Sequence, residues 1–231
     1  MTGGQPSPGA PAHSPPAAPA ASPALPALDP RTTALVIVDL QNDFLAPDGA
    51  YARGGAARGP AAEAMGALPA RLAPLAAALA VAGGCVAASR FTLWPGAAGT
   101  PIVSPHLARL RPFLRAGDFA PGSRGQAVVD ALAPHVQFCV DKVAYSAFFH
   151  TQLEWVLRKR GIATVAVAGI VTNGGVSSTV RDAFVRDFDT IVLADACGAF
   201  SASAHDTALA DMAGVARVAD CAALATALGS A

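Results

Sequence analysis

The sequence predicts an α/β fold: a three-layer doubly wound sandwich in which helices cover both faces of a mostly parallel six-stranded sheet. Short β-branched runs alternate with Ala- and Leu-rich stretches from residue 33 onward. Four of these runs are apolar throughout instead of alternating, which is typical of strands that are buried on both faces. Strand–helix alternation repeated this often is typical of the doubly wound class.

The strands are predicted from their apolar, β-branched composition, which is weakest in the last of them. The segments between them are predicted to be the crossover connections that a parallel sheet requires. In chain order the predicted strands span 33–40, 85–90, 136–142, 164–170, 190–195 and 215–219.

Four helices are predicted, three between strands and one after the last strand. The first, 61–83, is rich in Ala and Leu, and we expect Pro69 and Pro74 to kink it. The second, 151–162, is predicted to begin at Thr151 as its N-cap and to end at a glycine. The third follows a glycine pair, with Val176, Val180, Ala183 and Phe184 on one apolar face, and the fourth spans roughly 220–229.

The first thirty residues differ in composition from the rest of the chain. Residues 1–30 hold nine of the nineteen prolines, a density that blocks helices and sheet ladders and predicts a disordered or polyproline-like tail. They lack the basic start and the continuous apolar run of a signal peptide. We also expect no later segment to reach the length of a membrane span. The domain organisation is therefore a tail over 1–30 and one folded domain over 31–231.

Charge and cysteine usage indicate which classes of partner and which cellular compartment to expect. Sixteen basic and sixteen acidic residues give a formal net charge of zero, without a basic run. Nucleic acid and membranes are therefore not expected partners, and a small molecule is. The four cysteines are widely spaced and form no C-x-x-C pair. That usage favours a cytoplasmic protein over a disulfide framework, and no Cys/His spacing predicts a zinc site.

Three of the predicted strands deliver polar groups at their carboxyl ends. Asp39 closes the first, Lys142 closes the third, and the turn Gly174–Gly175 follows the fourth. Ligands of open α/β sheets bind beyond the carboxyl ends of the strands. Any one of these groups alone would be weak evidence, but an acid, a base and a glycine turn at one edge together predict a site.

These stretches carry a resemblance. The motifs D-x-Q-N-D-F from Asp39, K-x-x-x-S-A-F from Lys142, and G-x-x-T-N from Gly169 occur in order, with D-A downstream. Over about 31–215 the chain resembles the isochorismatase-like cysteine hydrolase superfamily. Similar members include ureidoacrylate and biuret-type amidohydrolases, N-carbamoylsarcosine amidase, nicotinamidases and isochorismatase. The resemblance implies a six-stranded parallel sheet and a homo-oligomer.

The resemblance implies an Asp–Lys–Cys triad, of which Asp39 and Lys142 supply two members. Gly175 stands at the cysteine position, so covalent acylation there is impossible. Successive helical residues are offset by about 100°, so Ser177 and Ser178 point roughly 200° and 300° away from position 175. We do not expect either serine to replace the nucleophile, although Ser178 is the better placed.

The remaining site residues are predicted around the glycine turn. Its backbone N–H groups can bind an oxyanion or a carboxylate, and the resemblance implies a cis peptide at Val171–Thr172. His205 matches a family position and is interpreted as structural. The stretch SRFTLWPG lacks the D-x-H zinc motif of nicotinamidase-like members, so no metal or cofactor is expected. Predicted substrate-binding residues are Thr172, Asn173, Gly174, Phe44, Tyr145 and Trp94, with Phe149 as a further pocket candidate.

Two kinds of chemistry remain open. We expect Asp39 to be deprotonated beside Lys142 and able to activate water for cleavage of an amide or ureide C–N bond. Isochorismatase-type members instead protonate a vinyl ether with this Asp, and they can carry Gly at the cysteine position. The motifs favour the first reaction and Gly175 the second. The alternative is a catalytically disabled ligand-binding homologue, with a natural or engineered Cys-to-Gly change.

Overall fold

A computed structural model describes residues 24–56 and 58–229. The six strands are β1 Thr33–Val38, β2 Cys85–Phe91, β3 Phe138–Lys142, β4 Thr164–Ile170, β5 Asp189–Gly198 and β6 Arg217–Ala219. The helices are α1 Asn42–Leu45, α2 Ala50–Arg53, α3 Gly59–Val81, α4 Pro105–Leu110, α5 Leu153–Lys159, α6 Ser177–Phe184, α7 Ala202–Met212 and α8 Cys221–Gly229.

All six strands form one sheet with the order β3-β2-β1-β4-β5-β6, and every neighbouring pair is parallel. The predicted fold class is therefore confirmed. Successive strands are added outward from β1 in one direction and from β4 in the other. The carboxyl ends of β1 and β4 thus form the switch point at which doubly wound sheets bind ligands.

The core lies in two layers, one on each face of the sheet. Leu35 and Ile37 of β1 face the layer that contains α3 and α8, whereas Val36 and Val38 face the layer that contains α5 and α6. All four side chains are fully buried, and each contributes about 1.5–3 kcal/mol of hydrophobic stabilisation. This two-sided burial is the physical reason for the uniformly apolar strands.

Helix α3 is long and apolar enough to cross a membrane by length and composition, so the expectation that no segment reaches that length is wrong. A core helix meets the same two criteria, and the inward side chains Leu68, Leu72 and Leu79 pack against the sheet. Two prolines, Pro69 and Pro74, lie inside the helix as predicted.

The N-terminal boundary differs from the prediction. Most of the predicted tail, residues 1–23, lies outside the described residues. The remainder packs on the domain: Leu28 is buried, and its N–H donates to the Ala227 carbonyl at 3.0 Å. Asp29 then accepts a hydrogen bond from the N–H of Arg31. The folded region therefore begins before residue 31.

Two helix predictions need local correction. Helix α5 is shorter than 151–162, and Gln152 is its N-cap, while the Thr151 hydroxyl accepts from the N–H of Leu153 at 3.2 Å. In α6 the predicted apolar face is interrupted at Phe184, whose side chain is 49% exposed. Phe184 lies in the last turn of this helix, beyond the buried contacts of Val180 and Ala183.

Candidate active site

The structure brings Asp39 and Lys142 together at the carboxyl edge of the sheet. Lys142 ends the edge strand β3 and reaches past β2, so that its Nζ lies 2.7 Å from Asp39 Oδ2. Ser89 of β2 donates its hydroxyl to Asp39 Oδ1 at 2.8 Å. The side chains of the pair are only 7% and 1% exposed, so this is a buried ion pair joining three strands.

Burial changes the proton affinity of this pair. It raises the pKa of Asp39, because the charged carboxylate loses water, while Lys142 and the Ser89 hydroxyl act in the opposite direction. The sequence predicts a deprotonated Asp39 beside Lys142 as the default and a general acid if the site raises the pKa of this carboxyl, and the raised pKa favours the second case. A raised pKa in a cavity is typical of a group that gives or takes a proton.

Position 175 faces this pair. Gly175 lies in a π-helical turn, Thr172–Val176, between β4 and α6. A Cβ atom added to it would lie 3.4 Å from Asp39 Oδ2, 3.0 Å from Val38 Cγ1 and 3.1 Å from the Ile170 carbonyl oxygen. A side chain at this position would therefore stand beside the carboxylate, but only after small shifts of its neighbours.

The other residues of the turn have different surroundings. Thr172 is fully buried, with its hydroxyl 2.8 Å from Nδ1 of His205. The Gly174 N–H already donates to the Val171 carbonyl at 2.9 Å, so the predicted two-glycine anion site loses one donor. Asn173 lines a separate surface cleft that also contains Ser177. The non-proline cis bond is Ile170–Val171, not Val171–Thr172 as predicted.

The ion pair opens into a cavity of about 290 Å³. Phe44 and Tyr145 line it, as predicted. Trp94 does not line it and is 54% exposed, and Phe149 is also outside it and 47% exposed. An aromatic residue near a strand end can point either way, and these two point to the surface. Further lining residues include Tyr51, Phe91, Phe119, His106, Arg111 and Phe200.

The polar residues of the first motif hold the cavity wall. Gln41 donates its side-chain amide to the Gln126 carbonyl at 2.8 Å, and Asn42 donates its own to the Arg124 carbonyl at 2.9 Å. Asp43 accepts from the Phe119 N–H at 2.6 Å. Only Asp39 of this motif reaches the ion pair, so the motif combines one chemical group with three structural ones.

The sequence did not identify several residues that surround the ion pair or line the cavity. Ser89 is a polar residue in a largely apolar strand. The pairing of β1 with β2 places it beside the end of β1, where it can bond Asp39, and the sequence alone does not give that pairing. Tyr51, Phe119 and Arg111 come from segments without strand or helix periodicity. The aromatic content of the segment after the first motif was the one signal that could have identified Tyr51.

Metal binding has no obvious location. Among residues 24–56 and 58–229, no three His, Cys, Asp or Glu side chains cluster in a way that could hold an ion.

Replacing Ser89 with Ala tests how the carboxyl is tuned. The variant removes a donor that stabilises the charged form, so the pKa of Asp39 is expected to rise further. NMR titration of the Asp39 carboxyl carbon would show the midpoint moving to higher pH. Thr190→Val, which removes a buried strand hydroxyl near the amino end of β5, at the opposite edge of the sheet, serves as the control. An unchanged midpoint in Ser89→Ala would contradict this assignment.

The comparisons with known proteins agree with this geometry. A family described as the isochorismatase domain matches residues 33–225. Ureidoacrylate amidohydrolase RutB of Methylobacterium radiotolerans is 38% identical over 206 residues, covering 80% of this chain and 75% of that protein. A cysteine hydrolase from Pseudomonas syringae pv. phaseolicola superimposes with a TM-score of 0.75 at 26% identity, covering 90% of this chain and 97% of that one. An isochorismatase family protein from Desulfovibrio vulgaris gives 0.70 at 27% identity, with coverage of 86% and 99%. The chain therefore belongs to the isochorismatase family of hydrolases.

Proposed function

We propose that this chain hydrolyses a small polar metabolite without a cysteine nucleophile. Asp39 gives or takes the proton, and Lys142 holds the Asp39 carboxyl in position. The observation that carries the proposal is the position of the Asp39 carboxyl, which lines the cavity beside Gly175. No side chain at position 175 separates the carboxyl from a bound molecule.

One route cleaves a C–N bond. Asp39 takes a proton from a water molecule, and the resulting hydroxide adds to an amide or ureide carbonyl. The tetrahedral intermediate then collapses, the C–N bond breaks, and Asp39 returns the proton to the leaving nitrogen. The relatives named ureidoacrylate amidohydrolase favour this type of bond.

The other route uses Asp39 as an acid. Protonated Asp39 gives its proton to the terminal carbon of a vinyl ether, and water adds to the cation that forms and returns one proton to Asp39. The C–O bond of the resulting hemiacetal or hemiketal then breaks, and its hydroxyl proton passes to the leaving oxygen, which gives a carbonyl compound and an alcohol. The glycine at the nucleophile position and the raised pKa of Asp39 favour this route.

Ureidoacrylate separates the two routes by its products, because it contains both a ureide carbonyl and a nitrogen-substituted alkene. Attack of water on the carbonyl gives aminoacrylate and carbamate, and aminoacrylate then hydrolyses in water to 3-oxopropanoate and ammonia. Protonation of the alkene carbon, followed by addition of water and C–N cleavage, gives urea and 3-oxopropanoate, so urea is the product that separates the two routes. We would incubate the purified chain with ureidoacrylate, biuret, N-carbamoylsarcosine, nicotinamide and isochorismate and identify the products. Binding without turnover of any of these compounds would support the ligand-binding alternative instead.

The pH profile of kcat/KM gives a second, independent reading. A general acid is active in its protonated form, so turnover would fall as pH rises through the Asp39 pKa. A general base is active when deprotonated, so turnover would rise over the same range.

Gly175→Cys tests whether the glycine belongs to the working enzyme. We expect the variant to lower native turnover by at least about tenfold, equivalent to about 1.4 kcal/mol in the barrier. The added side chain would crowd Val38 and the Ile170 carbonyl and stand between Asp39 and the substrate.

Gly175→Ala is the matched control, because it adds the same Cβ without a thiol. A similar loss in both variants attributes the effect to crowding. Amide hydrolysis by Gly175→Cys that far exceeds native turnover would overturn the proposal and identify a disabled cysteine amidase.

A further inference from the structure

Arg111 is the guanidinium of the cavity wall, placed directly after α4. Its Nε donates to the Tyr51 hydroxyl at 2.8 Å, and its Nη1 donates to the Leu110 carbonyl at 3.0 Å. Within the described residues, no carboxylate lies at ion-pair distance from it. The half-buried arginines elsewhere that do form ion pairs with Asp or Glu are Arg53, Arg90, Arg181, Arg186 and Arg217.

Aromatic side chains hold this guanidinium in position. Its central carbon lies 5.7 Å from the centre of the Tyr51 ring. Tyr51 is itself buried and stacks on Phe200, with ring centres 5.6 Å apart and planes at 6°. A planar cation fixed at one end presents its remaining N–H groups in a defined direction, which suits the two oxygens of a carboxylate.

Arg111 is the cationic side chain of the described cavity that is free to bind an anionic ligand, because the other one, Lys142, is occupied. Lys142 is already paired with Asp39 at 2.7 Å. Aromatic ring contacts run from Tyr51, beside Arg111, through Phe119 to Phe91, and Lys142 Nζ lies 5.6 Å from the centre of the Phe91 ring. An anion in the cavity would therefore find its unpaired counter-charge at Arg111.

We propose that Arg111 anchors the anionic end of the substrate, so that the cavity selects small carboxylates with the scissile bond against Asp39. The assignment of the scissile end rests on the proposed function. The assignment of the anionic end rests on the unpaired guanidinium. A cavity of about 290 Å³ limits the ligand to a small metabolite.

Binding tests this without requiring turnover. We would measure by calorimetry the Kd of the full chain for 3-ureidopropionate and for its neutral amide, 3-ureidopropionamide. The native chain is expected to bind the acid at least about tenfold more tightly. Arg111→Met is expected to raise the Kd of the acid about 10- to 100-fold and to leave that of the amide unchanged.

Arg109→Met is the matched control, because Arg109 is exposed on α4 and does not line the cavity. Tyr51→Phe removes the hydroxyl that holds Arg111 and should give an intermediate loss of acid binding. Equal binding of acid and amide by the native chain, no binding of the acid at millimolar concentration, or an equal loss in Arg109→Met would overturn the proposal.

The two proposals fail separately. Discrimination between acid and amide that depends on Arg111, without turnover of any substrate, leaves the anchor standing and refutes the hydrolase mechanism. If neutral and anionic substrates are instead turned over with equal kcat/KM, and Arg111→Met leaves these values unchanged, the hydrolase mechanism stands and the Arg111 anchor is refuted.

Discussion

Asp39→Asn is expected to lower kcat by about a hundred- to ten-thousand-fold, the usual contribution of one proton-transfer group. Asn has nearly the same shape, so the cavity is preserved, but its amide can neither give nor take the proton. The measurement is product formation under saturating substrate, with KM determined in parallel. Native-level turnover by this variant would refute the role of Asp39.

Asp141→Asn is the matched control. Asp141 precedes Lys142 on β3, but its carboxylate pairs with Arg90 outside the cavity. Because its removal leaves the Asp39–Lys142 pair intact, we expect turnover to stay close to that of the native chain.

A stability measurement separates chemistry from folding. Asp39→Asn leaves the Lys142 ammonium buried without its counter-charge, with only neutral acceptors such as the Ala144 carbonyl at 2.9 Å. Breaking a buried pair on one side costs about 3–5 kcal/mol of unfolding free energy. Adding Lys142→Met to Asp39→Asn removes the stranded charge, so we expect recovery of stability without recovery of turnover.

Gly169→Ala is expected to have the largest effect on folding, a loss of more than about 4 kcal/mol in unfolding free energy. Gly169 lies in β4 with φ of 121°, and an added Cβ would lie 2.1 Å from the Val38 carbonyl oxygen of β1. Both contacting segments are backbone in the centre of the sheet, so neither can move aside without breaking the ladder between β1 and β4. Denaturant unfolding and the yield of soluble protein would measure this effect.

Gly66→Ala is the contrasting substitution. Gly66 lies within α3, and an added Cβ would meet no atom within 4 Å. Ala is the better helix former by about 1 kcal/mol, so this variant should be slightly more stable than the native chain. A native unfolding midpoint for Gly169→Ala would contradict the steric argument.

The sequence predicted those features that depend on local patterns. The strands could be identified because burial on both faces demands uniformly apolar residues, and Asp39 and Lys142 because polar residues stand out at strand ends. The raised pKa of Asp39 could not be predicted, since it depends on how completely packing excludes water from the pair. The direction of the Arg111 side chain depends on its hydrogen bond to the Tyr51 hydroxyl, 60 residues earlier in the chain, so local spacing carried no information about it.

The way in which the first motif holds the cavity wall has a consequence for how this enzyme can change over evolutionary time. Gln41, Asn42 and Asp43 bind peptide carbonyl and N–H groups of residues 119–126, not their side chains. Every residue type other than proline offers those same groups. Except at Gly125, where an added Cβ would lie 2.1 Å from Asp43 Oδ2, side chains of residues 119–126 can therefore be exchanged while the attachment persists. Substrate preference can diverge among descendants of such a chain while the Asp39–Lys142 pair remains unchanged.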